Sequence, residues 1–457
     1  MRKEGYVNRK NGCGNRGIIN IVIIVFISLF GVGCVASRSS LPNIILISID
    51  TLRADHLSCY GYGRETSPCI DSLAESGIMF THCQAQAPHT TPAHASMLTG
   101  LSVIAHGAGY YNGVDHGLDP DLPTIPSMLK GNGYVNLAMV NSVVINPDYG
   151  FSRGFDYFSW DPNGQGRAGI TVDEYLDWID DNRGNPAPVF AFLHFYDVHI
   201  PYDPPSPYDE LFTDNGSQGV TGWVTDTLSG TLLNPDDSDH LMNLYDGEIV
   251  WVDSQLKRLF DGLRERDLHE RTIIILVSDH GEEFLEHGGW GHSHALWQEM
   301  LHVPLIISGP GIPRGVVDSL PCGQFDILPT IAELAGIEPE FTIEGVSLVA
   351  PVSRSSNRLI PSSRVSPDKC FRWRMEQHEG LVAVYLNGLK GIRNYGLDET
   401  GVMFDLVQDS READSLPLSP ELQNALDYYW TTPPVGNPEP MAIDSISGLL
   451  RDLGYIR

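Results

Sequence analysis

Basic residues are scarce in this chain: 29 lysines and arginines stand against 58 aspartates and glutamates, for a formal charge of −29. A surface of that sign repels polyanions over most of its area, which excludes nucleic acid as a partner. Any anionic substrate then needs a local cationic site, and a bound metal ion would supply one. Cysteine is also sparse, with 7 in 457 residues. Apart from Cys13 and Cys34 near the N-terminus, the five others (Cys59, Cys69, Cys83, Cys322 and Cys370) are odd in number and lack metal-type spacing. They define neither a thiolate metal site nor a disulfide framework. No internal repeat is found, and 46 glycines and 31 prolines with 19% charged residues describe a compact, loop-rich globular chain rather than a coiled coil or an acidic tail.

One long apolar run is present. Basic residues continue to Arg16, and residues 18–32 are mostly apolar before Gly33-Cys34. This is the layout of an export signal, and it is short for a stable membrane span. Gly31-Val32-Gly33-Cys34 resembles a lipoprotein cleavage site with Cys34 as the lipidated residue. The expectation is a leader and short linker over residues 1–40 and an exported protein, periplasmic or at the cell surface, held on the membrane through Cys34. A plain signal peptide and an uncleaved anchor are the alternatives.

Short Ile- and Val-rich runs at residues 44–49, 189–193, 272–278 and 303–308, with a fifth at 135–140, are apolar on both faces and separated by helix-length segments. They read as buried parallel strands. The first three end in polar residues: Asp50; His194 with Asp197 and His199; and Asp279-His280. Carboxyl ends of parallel strands form the ligand crevice of an open α/β sheet, so these groups are expected to converge there as a metal site. Apolar residues at helical spacing from Leu244 to Leu263 predict an amphipathic helix against the sheet. Residues 201–239, rich in Pro, Gly, Asp and Ser, read as a long excursion that walls a pocket. The pattern loosens after about residue 350, giving a main domain at 41–350 and a smaller C-terminal subdomain at 351–457, entered through a linker at 351–368.

Three segments carry chemistry. Asp50-Thr51-Leu52-Arg53 puts a carboxylate at a strand end with an arginine one loop away, although a capping or surface aspartate is the commoner meaning of such a pattern. Thr90-Thr91-Pro92-Ala93-His94 places two hydroxyls at a helix start, where free N–H groups and the dipole favour an anion. Simple capping by Thr91 would explain that segment equally well. Asp279-His280-Gly281, followed by Glu282, Glu283, His287, His292 and His294, is the densest cluster; adjacent Asp and His at a strand end offer an oxygen and a nitrogen ligand, with a glycine that lets the backbone turn tightly.

Together these segments resemble the sulfatase family of the alkaline phosphatase superfamily. The resemblance extends through Gly150-Phe151-Ser152-Arg153-Gly154-Phe155-Asp156, Phe195-Tyr196-Asp197-Val198-His199-Ile200-Pro201-Tyr202, Val303-Pro304-Leu305-Ile306, Asp326-Ile327-Leu328-Pro329-Thr330 and Phe404-Asp405-Leu406 with Asp409. It implies an α/β sandwich around a mainly parallel sheet flanked by helices, with a small C-terminal subdomain. It also implies one divalent cation (zinc, manganese or calcium) held by Asp50, Thr90, Asp279 and His280. Thr90 occupies the nucleophile position, and His199 and His292 match places near the leaving group or the transferred oxygens. Arg53, His94, Asn141 and His294 are the candidate substrate-binding residues.

Two departures bear on mechanism. Family members that use a formylglycine have Cys or Ser at the nucleophile position and Arg four residues later, whereas this chain has Thr90 and His94. Near Asn141 no lysine replaces the family's sulfate-gripping one. A threonine resembles the superfamily's phosphoryl-transferring members. The expected function is hydrolysis of a sulfate ester or a phosphate ester on a small molecule or glycan, with Thr90 attacking directly or binding metal while water attacks. Alternatives are a phosphodiesterase, phosphonate hydrolase or phosphoethanolamine-type transferase, and a catalytically silent binding lipoprotein.

Overall fold

The computed structural model describes residues 41–111, 114–161, 168–212, 235–350, 354–364, 381–395, 398–431 and 435. The leader at 1–40, residues 213–234 of the Pro- and Gly-rich excursion, Cys370, and residues 351–353 and 365–368 of the expected linker lie outside these; within that linker Ile360–Arg364 is a strand.

Eight strands form the central sheet: β1 Asn43–Ile49, β2 Gly77–Phe80, β3 Val135–Val140, β4 Tyr157–Trp160, β5 Val189–Phe195, β6 Thr272–Ser278, β7 Leu305–Ser308 and β8 Val316–Asp318. Their order is β8-β2-β7-β6-β1-β5-β3-β4. Every residue of β1 and of β6 is buried, as continuous apolar runs covered on both faces must be. β1 lies between β5 and β6, parallel to both, in the registers Ile49↔Phe195 and Ile49↔Ser278. Consequently all three strands end at one edge of the sheet.

The run at 303–308 was expected to be parallel; it forms β7, antiparallel to β6 and β2. The reason lies in the connection. Between Ser278 and Leu305 the chain makes only a two-residue hairpin and the four-residue helix Gln298–Leu301, so no crossover element returns it to the opposite edge. β7 therefore starts where β6 stopped and runs back. Pro304, which has no N–H to give a ladder, precedes its first residue.

Helices cover both faces: α1 Pro68–Glu75, α2 Thr90–Thr99, α3 Ile125–Gly131, α4 Ala168–Asp181, α5 Pro235–Glu265 and α6 Ile327–Leu334. The predicted amphipathic stripe lies in α5: Leu244, Ile249, Val252, Leu256, Leu259 and Leu263 are buried in one core cluster with Ile45, Ile47 and Leu193 of the sheet. On the other face, Met97 and Leu98 of α2 and Ile327, Leu328 and Ile331 of α6 pack with Ile44, Leu46 and Ile275. The C-terminal region is a second, antiparallel sheet in the order β9 Ile360–Arg364, β10 Leu381–Leu386, β11 Leu389–Asn394, β12 Asp398–Asp405 and β13 Leu416–Pro417. Helix α7, Pro420–Thr431, buries Leu422, Ala425 and Leu426 in this region. Among the described residues no helix is long and apolar enough to cross a membrane.

Candidate active site

The shared edge of β1, β5 and β6 brings the predicted groups together. Asp50 follows β1 directly and its backbone N–H continues the ladder to the Phe195 carbonyl at 2.9 Å. Thr51 then turns into the left-handed region at φ 52°. This costs strain for a β-branched residue. It directs the Thr51 N–H to Asp279 Oδ1 at 3.1 Å, while its hydroxyl donates to the Val198 carbonyl at 2.8 Å. The Tyr245 hydroxyl of α5 secures the turn, donating to the Thr51 carbonyl and accepting from the Arg53 N–H.

Asp50, Asp279 and His280 each present one ligand atom within 4.8 Å of the others, and all three are fully buried. His280 Nδ1 faces the Gly281 carbonyl at 3.0 Å, to which it can only donate, so Nε2 keeps its lone pair. That nitrogen stands 3.5 Å from Asp279 Oδ2, 3.8 Å from Asp50 Oδ1 and 3.4 Å from Thr90 Oγ1. Both Asp50 oxygens and Asp279 Oδ2 lack any hydrogen-bond partner. Uncompensated buried carboxylates are costly. Burial accordingly pushes the Asp50 carboxyl up to about 7 against the pull of His280, and burial together with Asp50 raises Asp279. For His280 burial opposes the charge, but Asp279 and Asp50 outweigh it and shift the imidazole upward. Such a set is complemented by a cation: ligand atoms at about 2.0–2.2 Å from one ion stand roughly 3–4 Å apart. The residues fit a divalent metal with oxygen and nitrogen ligands.

Thr90 opens α2, one residue after the N-cap His89, and no side chain caps this helix. Capping by Thr91 is thereby set aside. His94, one turn on, donates from Nδ1 to the Thr90 carbonyl at 2.8 Å and accepts from the Ser48 hydroxyl at Nε2, also 2.8 Å. Its Nδ1 is 3.7 Å from Asp279 Oδ2, and burial lowers its pKa to about 3. The neutral ring thus lies against the Asp279 carboxylate.

His199 and His292 flank the cluster, their rings 5.0 Å apart and His292 4.5 Å from His280. Burial holds both pKa values down, that of His199 to about 3. His199 Nδ1 donates to the Ile200 carbonyl and the ring stacks on Tyr196. Four other predicted residues are engaged as follows. Arg53 forms a bidentate pair with Asp55 and bonds to Glu286 and the Glu282 carbonyl. Asn141 donates to Thr171 at 2.9 Å. His294 faces Glu283 at 2.6 Å through Nε2 and the His292 carbonyl through Nδ1. Asp197, expected at the crevice, instead accepts from the first N–H of α4 and from Trp251.

His194 stands at this edge as expected, and two residues that the sequence pattern did not single out, Gln324 and Arg364, complete the site. His194, on β5, has Nε2 3.5 Å from Asp50 Oδ2, and burial lowers its pKa to about 4. Gln324 donates to the Ser278 and Asp279 carbonyls. Arg364 of β9 reaches the Ser293 carbonyl at 2.6 Å, bringing the C-terminal sheet to the His292 loop. Neither carries a signal in the local sequence.

A family model described as Sulfatase matches residues 42–337. Curated relatives include a sulfatase of Formosa agariphila, 23% identical over 430 residues that cover 81% of this chain and 80% of that protein. An arylsulfatase of Clostridium perfringens is 24% identical, with 85% and 92% covered. Among solved structures, a protein in complex with its substrate D-glucosamine-2-N,6-O-disulfate superposes with a TM-score of 0.67 at 20% identity, over 86% of this chain and 98% of that one. The phosphonate monoester hydrolase of Agrobacterium radiobacter gives 0.65 at 20% identity, over 90% and 96%.

Proposed function

Because the chain belongs to the sulfatase family, we propose that it hydrolyses sulfate esters, or phosphate esters, with the Thr90 hydroxyl as nucleophile. The observation that carries this reading is the approach of Thr90 Oγ1 to His280 Nε2, together with three buried carboxylate oxygens, both of Asp50 and Oδ2 of Asp279, that have no hydrogen-bond partner. A divalent cation bound by Asp50, Asp279 and His280 would lower the hydroxyl pKa and neutralise charge on the transferred group's oxygens.

The chain's own residues do the rest. His94 braces the first turn of α2 through the Thr90 carbonyl, which fixes the direction of the hydroxyl. Thr90 Oγ1 bonds to sulfur or phosphorus as the ester oxygen leaves in line. A flanking imidazole, His292 or His199, takes up the Thr90 hydroxyl proton at Nε2 by way of solvent and gives it to the leaving oxygen, so the step is neutral in protons. Water then cleaves the Thr90 ester and restores the hydroxyl. Unpaired carboxylates retained in a buried site argue against a silent binding protein.

A phosphate ester is the second reading, favoured by the unmodified hydroxyl at position 90 and by the likeness to a phosphonate monoester hydrolase. The relative solved with a disulfated glucosamine supports a sulfated sugar for the first. Export and anchoring through Cys34 complete the proposal and place the substrate outside the cytoplasm. The test is rapid acid quench of the metal-loaded protein with an aryl sulfate and, separately, an aryl phosphate diester, followed by peptide mass analysis. A sulfo or phospho group on Thr90 is expected with the better substrate. Thr90→Ala should lose about 10³-fold or more in turnover, while Thr90→Ser keeps most of it. Full activity in Thr90→Ala would remove Thr90 as nucleophile.

A further inference from the structure

His292 and His199 sit on the same side of the cluster, yet their supports differ. His199 gives its Nδ1–H to a neutral backbone carbonyl. His292 gives its own to a carboxylate: Nδ1 is 2.8 Å from Glu282 Oε1. The other Glu282 oxygen accepts the Tyr202 hydroxyl at 2.8 Å. Glu282 is fully buried and Tyr202 is 1% exposed, so neither bond is shared with bulk water. With one oxygen on each partner, the carboxylate cannot rotate without breaking both bonds. An ionised carboxylate can only accept, so it selects the tautomer with hydrogen on Nδ1 and leaves Nε2 for a ligand. A hydroxyl or amide in place of Glu282 could serve as donor or acceptor, and the tautomer would not be fixed.

We propose that Glu282 is a positioning residue for proton transfer: clamped by Tyr202, it orients the His292 ring so that Nε2 is the atom that protonates the leaving oxygen. This deepens the hydrolase reading above and rests on it, and it selects His292 over His199 for that role. In the step itself Nε2 takes up the proton that leaves the Thr90 hydroxyl, and the Nε2–H bond so formed breaks as the leaving oxygen gains that proton. The Nδ1–H bond to Glu282 persists throughout, as in other histidine–carboxylate pairs where the acid orients the imidazole and stays ionised.

The test has two arms. Nitrogen-15 NMR of the zinc-loaded protein, with His292 assigned by comparison with His292→Gln, reads the tautomer without reference to activity. Hydrogen on Nδ1 is expected; hydrogen on Nε2 alone in the neutral ring would overturn the proposal. The second arm compares esters whose leaving groups differ in basicity. Glu282→Gln should lose about 100-fold on an alkyl or phenyl ester and less than about 5-fold on a nitrophenyl ester, which leaves unprotonated. An equal loss across the series would mean a merely structural role and also overturn it. Should Glu282→Gln not fold, Tyr202→Phe releases the clamp from the other side and should show the same trend at smaller amplitude; a flat trend there counts against the proposal. If the wild type turns over neither ester class, the hydrolase reading fails, while the tautomer still decides what Glu282 does to His292.

Discussion

The buried histidines differ in what their nitrogens face, and this decides how each responds to acid. His106, away from the metal cluster, is fully buried. Its Nδ1 accepts the Ala108 N–H at 2.9 Å and its Nε2 pairs with the Ser96 hydroxyl at 2.9 Å. A second ring proton would point at an N–H, and burial lowers the pKa to about 3. The folded value lies below the unfolded one of about 6.5, so the unfolded chain takes up the proton first. The contribution to stability is complete above about pH 6.5 and is lost as pH falls from there towards 3, at roughly 1.4 kcal/mol per pH unit. Urea unfolding should therefore find His106→Gln about 1–3 kcal/mol weaker at pH 7.5, yet losing about 2 kcal/mol less than wild type on moving to pH 5. An unchanged acid response would assign the sensitivity to other histidines. Nothing in the sequence marked His106. Residue identity was informative where it carried chemistry at a strand end, as with Asp50, Asp279 and His280. It was silent on partners far away in sequence: Arg53, expected to bind an anion, pairs with Glu286, 233 positions on.

At the scale of elements, the Ile- and Val-rich strands and the α5 stripe were legible because burial on two faces, or on one, leaves a periodic imprint. The direction of β7 was not, since it depends on the length and content of the connection rather than on the strand itself. Gly281 is a similar case. A tight turn suggested itself from the sequence, but its φ is not positive; the glycine is required by a close approach. A Cβ there would lie 2.0 Å from the Glu299 carbonyl oxygen and 3.1 Å from Arg53 Cγ. The Gly281 N–H meanwhile holds the Met300 carbonyl at 2.8 Å, docking the loop after β6 onto the helix before β7. Gly281→Ala must push these two segments apart and carry His280 with it. The expected result is a loss of about 1–3 kcal/mol in unfolding and about a 10-fold or greater weakening of metal binding in a competitive chelator titration. A variant that binds metal as wild type would show that the loop yields without moving its ligands.

For the whole molecule, the sheet holds together acids that repel one another in a chain already carrying a charge of −29. Asp50 and Asp279 follow adjacent strands, in register and fully buried, so their separation is set by the β1–β6 ladder and cannot relax. The metal-free protein therefore bears an electrostatic cost that the folded frame sustains elsewhere. Binding a cation to the native state alone stabilises it by mass action, about 4 kcal/mol at a thousandfold excess over Kd. Removing metal with a chelator should lower Tm by about 5–10 °C, and a divalent ion should restore it. Asp50→Asn separates the two contributions. It removes one buried charge and a ligand together, so in chelator it should unfold at or above the wild-type temperature, while in saturating metal it should unfold below it. That crossing of the two curves distinguishes ligands held under repulsion from carboxylates that merely happen to be buried, because the latter would leave the variants in the same order with and without metal.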